Sequence, residues 1–260
     1  MPALVYEKKG RIAYITLNRP EVLNAMNSEV WGALVKAWAD VRDDPDVWVA
    51  LVTGAGDKAF CAGQDLKELG AWLMTPHHQR SAPPIPEISP MRGMQVWKPF
   101  IAAINGICTG GGLELAMACD IRIAADTARL GLAEVKRGVI AGNSGTQKLI
   151  RLVPFAKALE MLMTGDFIDA SEAYRIQLVN KVVPFDRLLP EAEALASRIC
   201  ENGPMAVRAV KELAYRGIDM RLEEGLDLEL EISQRVALTE DAREGPRAFT
   251  EKRKPDWKGR

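Results

Sequence analysis

The sequence predicts an α/β core followed by a helical C-terminal region. Short apolar runs at residues 48–53, 100–105 and 121–125 read as buried strands, and a helix is expected to open at Gly110 between the last two. Strands alternating with helices imply βαβ units with right-handed crossovers. After about residue 145 the pattern turns helical, over 149–153, 156–163, 171–176, 188–200, 205–215, 222–237 and 241–252. These two observations divide the chain into a core over residues 1–190 and a helical region over 191–260. Apolar faces on such an appendage suit it to completing a neighbour's surface, so self-association is expected.

The elements follow in order. Residues 4–6 and 12–17 read as a hairpin around the turn Lys8-Lys9-Gly10. Asn27 or Ser28 can cap a helix whose apolar face is Val30, Leu34, Trp38 and Val41. The strand at 48–53 runs into a loop at Gly54-Ala55-Gly56, and a helix begins near 65–70 with Asp65 in its first turn. Within 71–98, His77, His78, Pro83, Pro84, Pro86 and Pro90 break every period, so an irregular lid-like loop is expected.

The bulk numbers exclude several classes. A chain of 260 residues buries enough surface to need no disulfide or metal staples. Hydrophobic content of 48% with 27% charged residues reads as globular, and a formal net charge of −1 supplies no field for nucleic acid or an anionic membrane. Cys61, Cys108, Cys119 and Cys200 form no C-x-x-C pair and fit no zinc template, so no metal is expected and the thiols read as reduced. The first residues lack a secretory or transit layout, and no run approaches 18 apolar residues. A cytoplasmic protein without a membrane or nucleic-acid partner is expected.

Some chemistries are excluded as well. His77 and His78 are the two histidines, and both fall in the irregular segment, which leaves a Ser-His or Cys-His relay without a placed base. Gly142-Asn143-Ser144-Gly145 has the wrong spacing for a nucleophile elbow. Neither a phosphate-binding G-x-x-x-x-G-K-[ST] loop nor a G-x-G-x-x-G after a strand is present, so nucleotide, nicotinamide and flavin cofactors have no support.

What stands out is a pair of glutamates. Glu114 closes Gly110-Gly111-Gly112-Leu113-Glu114, and Glu134 closes Leu130-Gly131-Leu132-Ala133-Glu134. The glycine run starts a helix directly after a strand, so its first N–H groups are unpaired and a substrate oxygen can approach them. Ala62-Gly63, also small and also just before a helix, can supply a second donor, and two such donors can form an oxyanion hole. Tight packing explains either loop alone equally well. Glu114 sits among Leu113, Leu115, Ala116 and Met117, where a carboxylate is costly unless paired or functional; a buried ion pair with Arg122 is the other reading. For Glu134 the other reading is a surface residue before Lys136 and Arg137.

Taken together, these segments resemble the enoyl-CoA hydratase/isomerase (crotonase) family. The resemblance runs from about Ile12 to Arg260 through Ile15-Thr16-Leu17-Asn18-Arg19-Pro20, Ala59-Phe60-Cys61-Ala62-Gly63-Gln64-Asp65, Ile101-Ala102-Ala103-Ile104-Asn105-Gly106, Gly110-Gly111-Gly112-Leu113-Glu114 and Gly145-Thr146-Gln147-Lys148-Leu149. It implies a crotonase-like ββα spiral core with C-terminal helices that build a homotrimer or a hexamer. It implies an acyl-CoA thioester substrate and no cofactor, coenzyme A being part of the substrate. The N–H groups of Ala62 and Gly111 are then expected to hold the thioester oxygen. Ala62, Gly63, Gln64, Asp65, Leu66 and Gly111 are expected along the CoA channel. Glu114 and Glu134 match the two glutamates of the hydratases, and Gly142 matches a glycine that places the water. Both glutamates together imply syn hydration of a 2-enoyl-CoA, or the reverse dehydration.

The chain also departs from the family pattern. The usual proline before the second glutamate is Ala133, a usual leucine is Arg137, and the usual Ile-Pro-Gly-Ala-Gly-Gly is Ile140-Ala141-Gly142-Asn143-Ser144-Gly145. A polar, cyclic or carnitine-like acyl group is therefore an alternative substrate, read by Asn143, Ser144 and Arg137. The competing reading is that these side chains cap a helix near Gly145 or face solvent. A crotonase-fold RNA-binding protein is an alternative of another class; the near-neutral charge argues against it.

Overall fold

A computed structural model of the chain describes residues 1–79 and 85–260. It opens with an antiparallel hairpin, β1 (Leu4–Lys9) and β2 (Ile12–Leu17). Lys9 pairs with Ile12, so Gly10 and Arg11 make the turn and the expected Lys8 and Lys9 extend the strand instead. Helix α1 (Ser28–Asp43) follows, capped by Asn27, whose side chain accepts from the Val30 N–H, and it buries Val30, Leu34, Trp38 and Val41 as the pattern predicts. Then come β3 (Val49–Gly54), β4 (Ala59–Cys61) and α2 (Leu66–Met74), with Asp65 as the N-cap. A short 3₁₀ turn occupies His77–Gln79. Pro83 and Pro84, part of the expected loop, lie outside the described residues.

Next are β5 (Phe100–Ile104), β6 (Ile107–Thr109), α3 (Gly111–Ala118), β7 (Ile121–Ala125) and β8 (Arg129–Gly131). The chain continues as α4 (Gly145–Leu152), α5 (Phe155–Thr164), β9 (Ile168–Asp169), α6 (Ala170–Arg175) and β10 (Lys181–Val183). It ends in α7 (Phe185–Cys200), α8 (Pro204–Gly217), α9 (Leu222–Ala237) and α10 (Glu240–Thr250).

Two sheets organise these elements. The larger runs β1-β2-β3-β5-β7-β10 and the smaller β4-β6-β8-β9. Each turn of the chain gives one strand to each sheet: β3 then β4, β5 then β6, β7 then β8. That repetition makes the ββα spiral. Side chains alternate across the large sheet, as the pleat requires. Ala50, Val52, Ala102, Ile104 and Ala124 face the main core with α1 and α3, where Trp38 stacks on Phe100 at 4.4 Å. Val49, Leu51, Ile101, Ala103 and Ile123 face Leu188, Ala192 and Ala196 of α7. The expected boundary at 190/191 therefore falls inside a helix that packs on the sheet, and the helices that leave the core begin at α8.

One close approach fixes the geometry. A Cβ on Gly112 would lie 2.1 Å from the Cys61 carbonyl oxygen, which is backbone and cannot swing aside. Gly112→Ala must push α3 off β4. We expect a loss of roughly 1–3 kcal/mol, the usual range for overpacking a tight site, read as a lowered urea midpoint. A wild-type midpoint would mean that the helix relaxes at no cost.

Candidate active site

Strands β4, β6 and β8 are parallel neighbours. The segments leaving their C-terminal ends carry Ala62 to Asp65, Gly110 to Gly111, and Leu132 to Glu134 respectively. Three stretches distant in sequence thus meet at one edge of the small sheet. A cavity of about 260 Å³ opens there, lined among others by Ala62, Gly63, Gln64, Leu66, Gly111, Glu114, Glu134 and Gly142.

The structure corrects the expectation for Ala62. Its N–H donates to the Leu23 carbonyl at 2.9 Å and is not free for a ligand. Two residues on, the N–H of Gln64 has no partner among the described residues, and neither has that of Gly111. The Gln64 nitrogen lies 3.6 Å from where a Gly111 Cβ would sit, so these two free donors are neighbours. Asp65 does not line the cavity. It accepts from the Lys67 N–H at 3.1 Å and pairs with Arg19 at 3.0 Å, pinning the loop behind the donors.

Glu114 lies one helical turn beyond Gly111 and is buried. It is not paired with Arg122, whose guanidinium donates to the carbonyls of Leu178 and Cys119, both at 2.7 Å. Instead Oε1 accepts the N–H groups of Asn143 and Gly145, both at 2.8 Å. Burial pushes its pKa up to about 7; the Gly145 N–H opposes that, the Glu134 charge adds to it, and the Asn143 N–H and Lys148 oppose it. Sequence reasoning missed Asn143 and Gly145 as partners. Their signal was weak: a small, polar run just before a helix, where N–H groups are unpaired.

Glu134 opens the short 3₁₀ turn Glu134–Arg137. It is half-buried rather than a surface residue, and its Oε2 is buried with no partner. Burial raises its pKa, against the opposing pull of its own N–H and of Arg137.

The residues expected to read a polar acyl group are placed differently from one another: Asn143 and Arg137 line the cavity and Ser144 does not. The Asn143 amide accepts from the Ser89 hydroxyl at 3.3 Å and donates to the Met91 sulfur at 3.1 Å. Ser144 stands at the N-cap of α4 without a side-chain cap bond, and its hydroxyl is buried without a partner. Arg137 does line the cavity, with Nη1 donating to the Ala133 carbonyl at 3.2 Å.

What this edge can do is move protons beside a carbonyl whose oxygen takes up negative charge. Comparison with known proteins points the same way. The chain belongs to the enoyl-CoA hydratase/isomerase family, whose model matches residues 7–260. It is 44% identical over 255 residues to the (E)-benzylidenesuccinyl-CoA hydratase of Thauera aromatica, covering 97% of this chain and 98% of that one. It is 39% identical over 254 residues to the crotonyl-CoA hydratase of Syntrophomonas wolfei, covering 98% and 97%. Among solved structures it resembles an enoyl-CoA hydratase from Mycobacterium tuberculosis H37Rv, with a TM-score of 0.91, 35% identity and both chains covered in full. The fold is that of the crotonase-type hydratases.

Glu114 makes stability depend on pH. Its pKa is raised, so the folded protein holds this proton more tightly than the unfolded chain. The associated stability is fully present below about pH 4.5 and lost as pH rises through about 7. Glu114→Gln keeps an acceptor for both N–H groups and removes the titration. Urea unfolding at about pH 5 and about pH 8 should show wild type losing roughly 2 kcal/mol relative to the variant. Parallel profiles would mean that Glu114 ionises as it does in water.

Proposed function

We propose that the chain hydrates a 2-enoyl-CoA thioester to the 3-hydroxyacyl-CoA, reversibly, with Glu114 and Glu134 as the acid/base pair. The observation that carries this reading is the presence of both carboxyls and of two free, neighbouring N–H groups at one cavity. The thioester oxygen sits between the N–H groups of Gln64 and Gly111, which stabilise it as it becomes an enolate. One glutamate takes a proton from water as its oxygen adds at Cβ, and the other delivers a proton to Cα. Both carboxyls have raised pKa values, so one can be neutral while the other is charged. Gly142, on the cavity wall, offers its backbone to the water. The reading calls on no separate cofactor, coenzyme A being part of the substrate.

Glu114→Gln and Glu134→Gln should each lower kcat on crotonyl-CoA by roughly 10²–10⁴-fold, followed as loss of the enoyl thioester absorbance. Thioester binding should persist in both. Near-wild-type turnover in either variant removes that residue from the chemistry.

The reading extends to assembly as a homotrimer or a dimer of trimers. Support comes from apolar side chains left exposed on the terminal helices: Val210 on α8, Leu222, Leu226 and Leu230 on α9, and Phe249 on α10. Nε and Nη2 of Arg208 are buried there without a partner. Light scattering at micromolar concentration should give a trimeric or hexameric mass; an active monomer would count against it. Four unpaired thiols favour a reducing, cytoplasmic compartment. Among the described residues, no helix is long and apolar enough to cross a membrane.

A further inference from the structure

Hydration as set out above uses the backbone N–H of Gln64 but leaves its side chain unexplained. The Oε1 atom accepts from the Trp31 indole N–H at 2.7 Å. An indole nitrogen can only donate, so the amide must turn its oxygen toward Trp31 and its NH₂ the other way. Trp31 is buried in the face of α1 that packs into the core, so the fold sets this orientation. The Nε2 atom is nevertheless buried with no acceptor. Thr109 Oγ1, from a residue on the same cavity wall, is buried and unpartnered too. A buried donor without an acceptor is costly, and native proteins seldom keep one without a use.

We propose that the Gln64 side-chain amide determines specificity by donating to an oxygen on the acyl group of the substrate. This deepens the hydratase reading and rests on it. Because the backbone N–H of the same residue faces the thioester oxygen, its side chain reaches the first carbons around the thioester and not the distant nucleotide end of coenzyme A. Arg137 on the same wall would add to the attraction if that oxygen belongs to a carboxylate. A site built around a buried donor rejects an analogue lacking the acceptor far more strongly than an apolar pocket rejects a methylene.

Three thioesters of matched length test this: 5-oxohex-2-enoyl-CoA, glutaconyl-CoA and 5-methylhex-2-enoyl-CoA, which end in a ketone, a carboxylate and an alkyl isostere. Kinetics would be read in wild type, Gln64→Glu and Gln64→Met, and dissociation constants with Glu114→Gln added to each. Gln64→Glu keeps an acceptor for Trp31, so it guards against a folding failure of Gln64→Met. Wild type should favour the ketone over the alkyl chain by about tenfold or more in both kcat/KM and Kd. Gln64→Met should abolish that ratio and Gln64→Glu should abolish or invert it. The carboxylate-to-ketone ratio shows whether charge adds to the donor. A ratio near one in wild type overturns the proposal, and so does a ratio that both variants leave unchanged. Equal weakening of all three ligands also overturns it, by placing the donor on the part that they share. If wild type hydrates neither crotonyl-CoA nor any of the three, the hydratase reading fails, while the Kd ratio still decides the role of Gln64.

Discussion

Helix α3 begins so close to the end of β4 that no side chain fits between them. The Cys61 carbonyl occupies the space that a Cβ on Gly112 would need. From that contact the rest of the site follows. Gly111 is carried to the side of Gln64, so two unpaired N–H groups from separate turns of the spiral lie side by side. Three residues are close to one helical turn, so Glu114 projects on the same side of α3 as Gly111. The neighbouring strand β8 then delivers Glu134 to the same edge. A ligand at this edge meets donors and carboxyls that the packing of α3 on β4 has already placed, and little ordering is left to the moment of reaction.

The electrostatics at Glu114 set burial, the largest effect, against hydrogen bonds that favour the charged form. Burial raises the Glu114 pKa, and the two N–H groups on Oε1 pull it back down. Their opposition leaves it near 7, where both forms are populated. Lys148 takes part from the other side. Burial depresses it to about 8, and its remaining charge draws Glu114 down. Neither carboxyl titrates independently, because the Glu134 charge is felt by Glu114. A reaction that must both take and give a proton needs that intermediate state more than it needs a strong acid or a strong base.

Much of the fold was legible in the residues because the long elements bury one face. Val30, Leu34, Trp38 and Val41 announce α1, and the apolar runs of β3, β5 and β7 announce the large sheet. The small sheet was not legible. Strands β4, β6 and β8 are three residues each, which is too short for an alternation to show. Residues 59–61 could be quoted as part of a motif without being seen as a strand. The glutamates were legible because a carboxylate in apolar surroundings is conspicuous. The partners of Glu114 were not, because Asn143 and Gly145 contribute backbone groups that have no residue type.

The same limit explains why Ala62 was a reasonable expectation and Gln64 is what the fold supplies. The segment near Met26 runs parallel to this loop and bonds on either side of Gln64: the Met26 N–H donates to the Gly63 carbonyl at 2.8 Å, and the Asp65 N–H donates to the Met26 carbonyl at 2.9 Å. In a parallel bridge of this kind the residue between the two bonds turns its own N–H and C=O the opposite way. Gln64 is that residue, and the opposite side is the cavity. Two residues earlier, Ala62 would share the direction of Gln64 in a regular strand. Gly63 breaks the regularity with φ +93°, a conformation that a side chain would resist, and the Ala62 N–H turns to Leu23 instead. A free donor exists here because its neighbours are pinned, and the pins come from a segment almost 40 residues away in sequence.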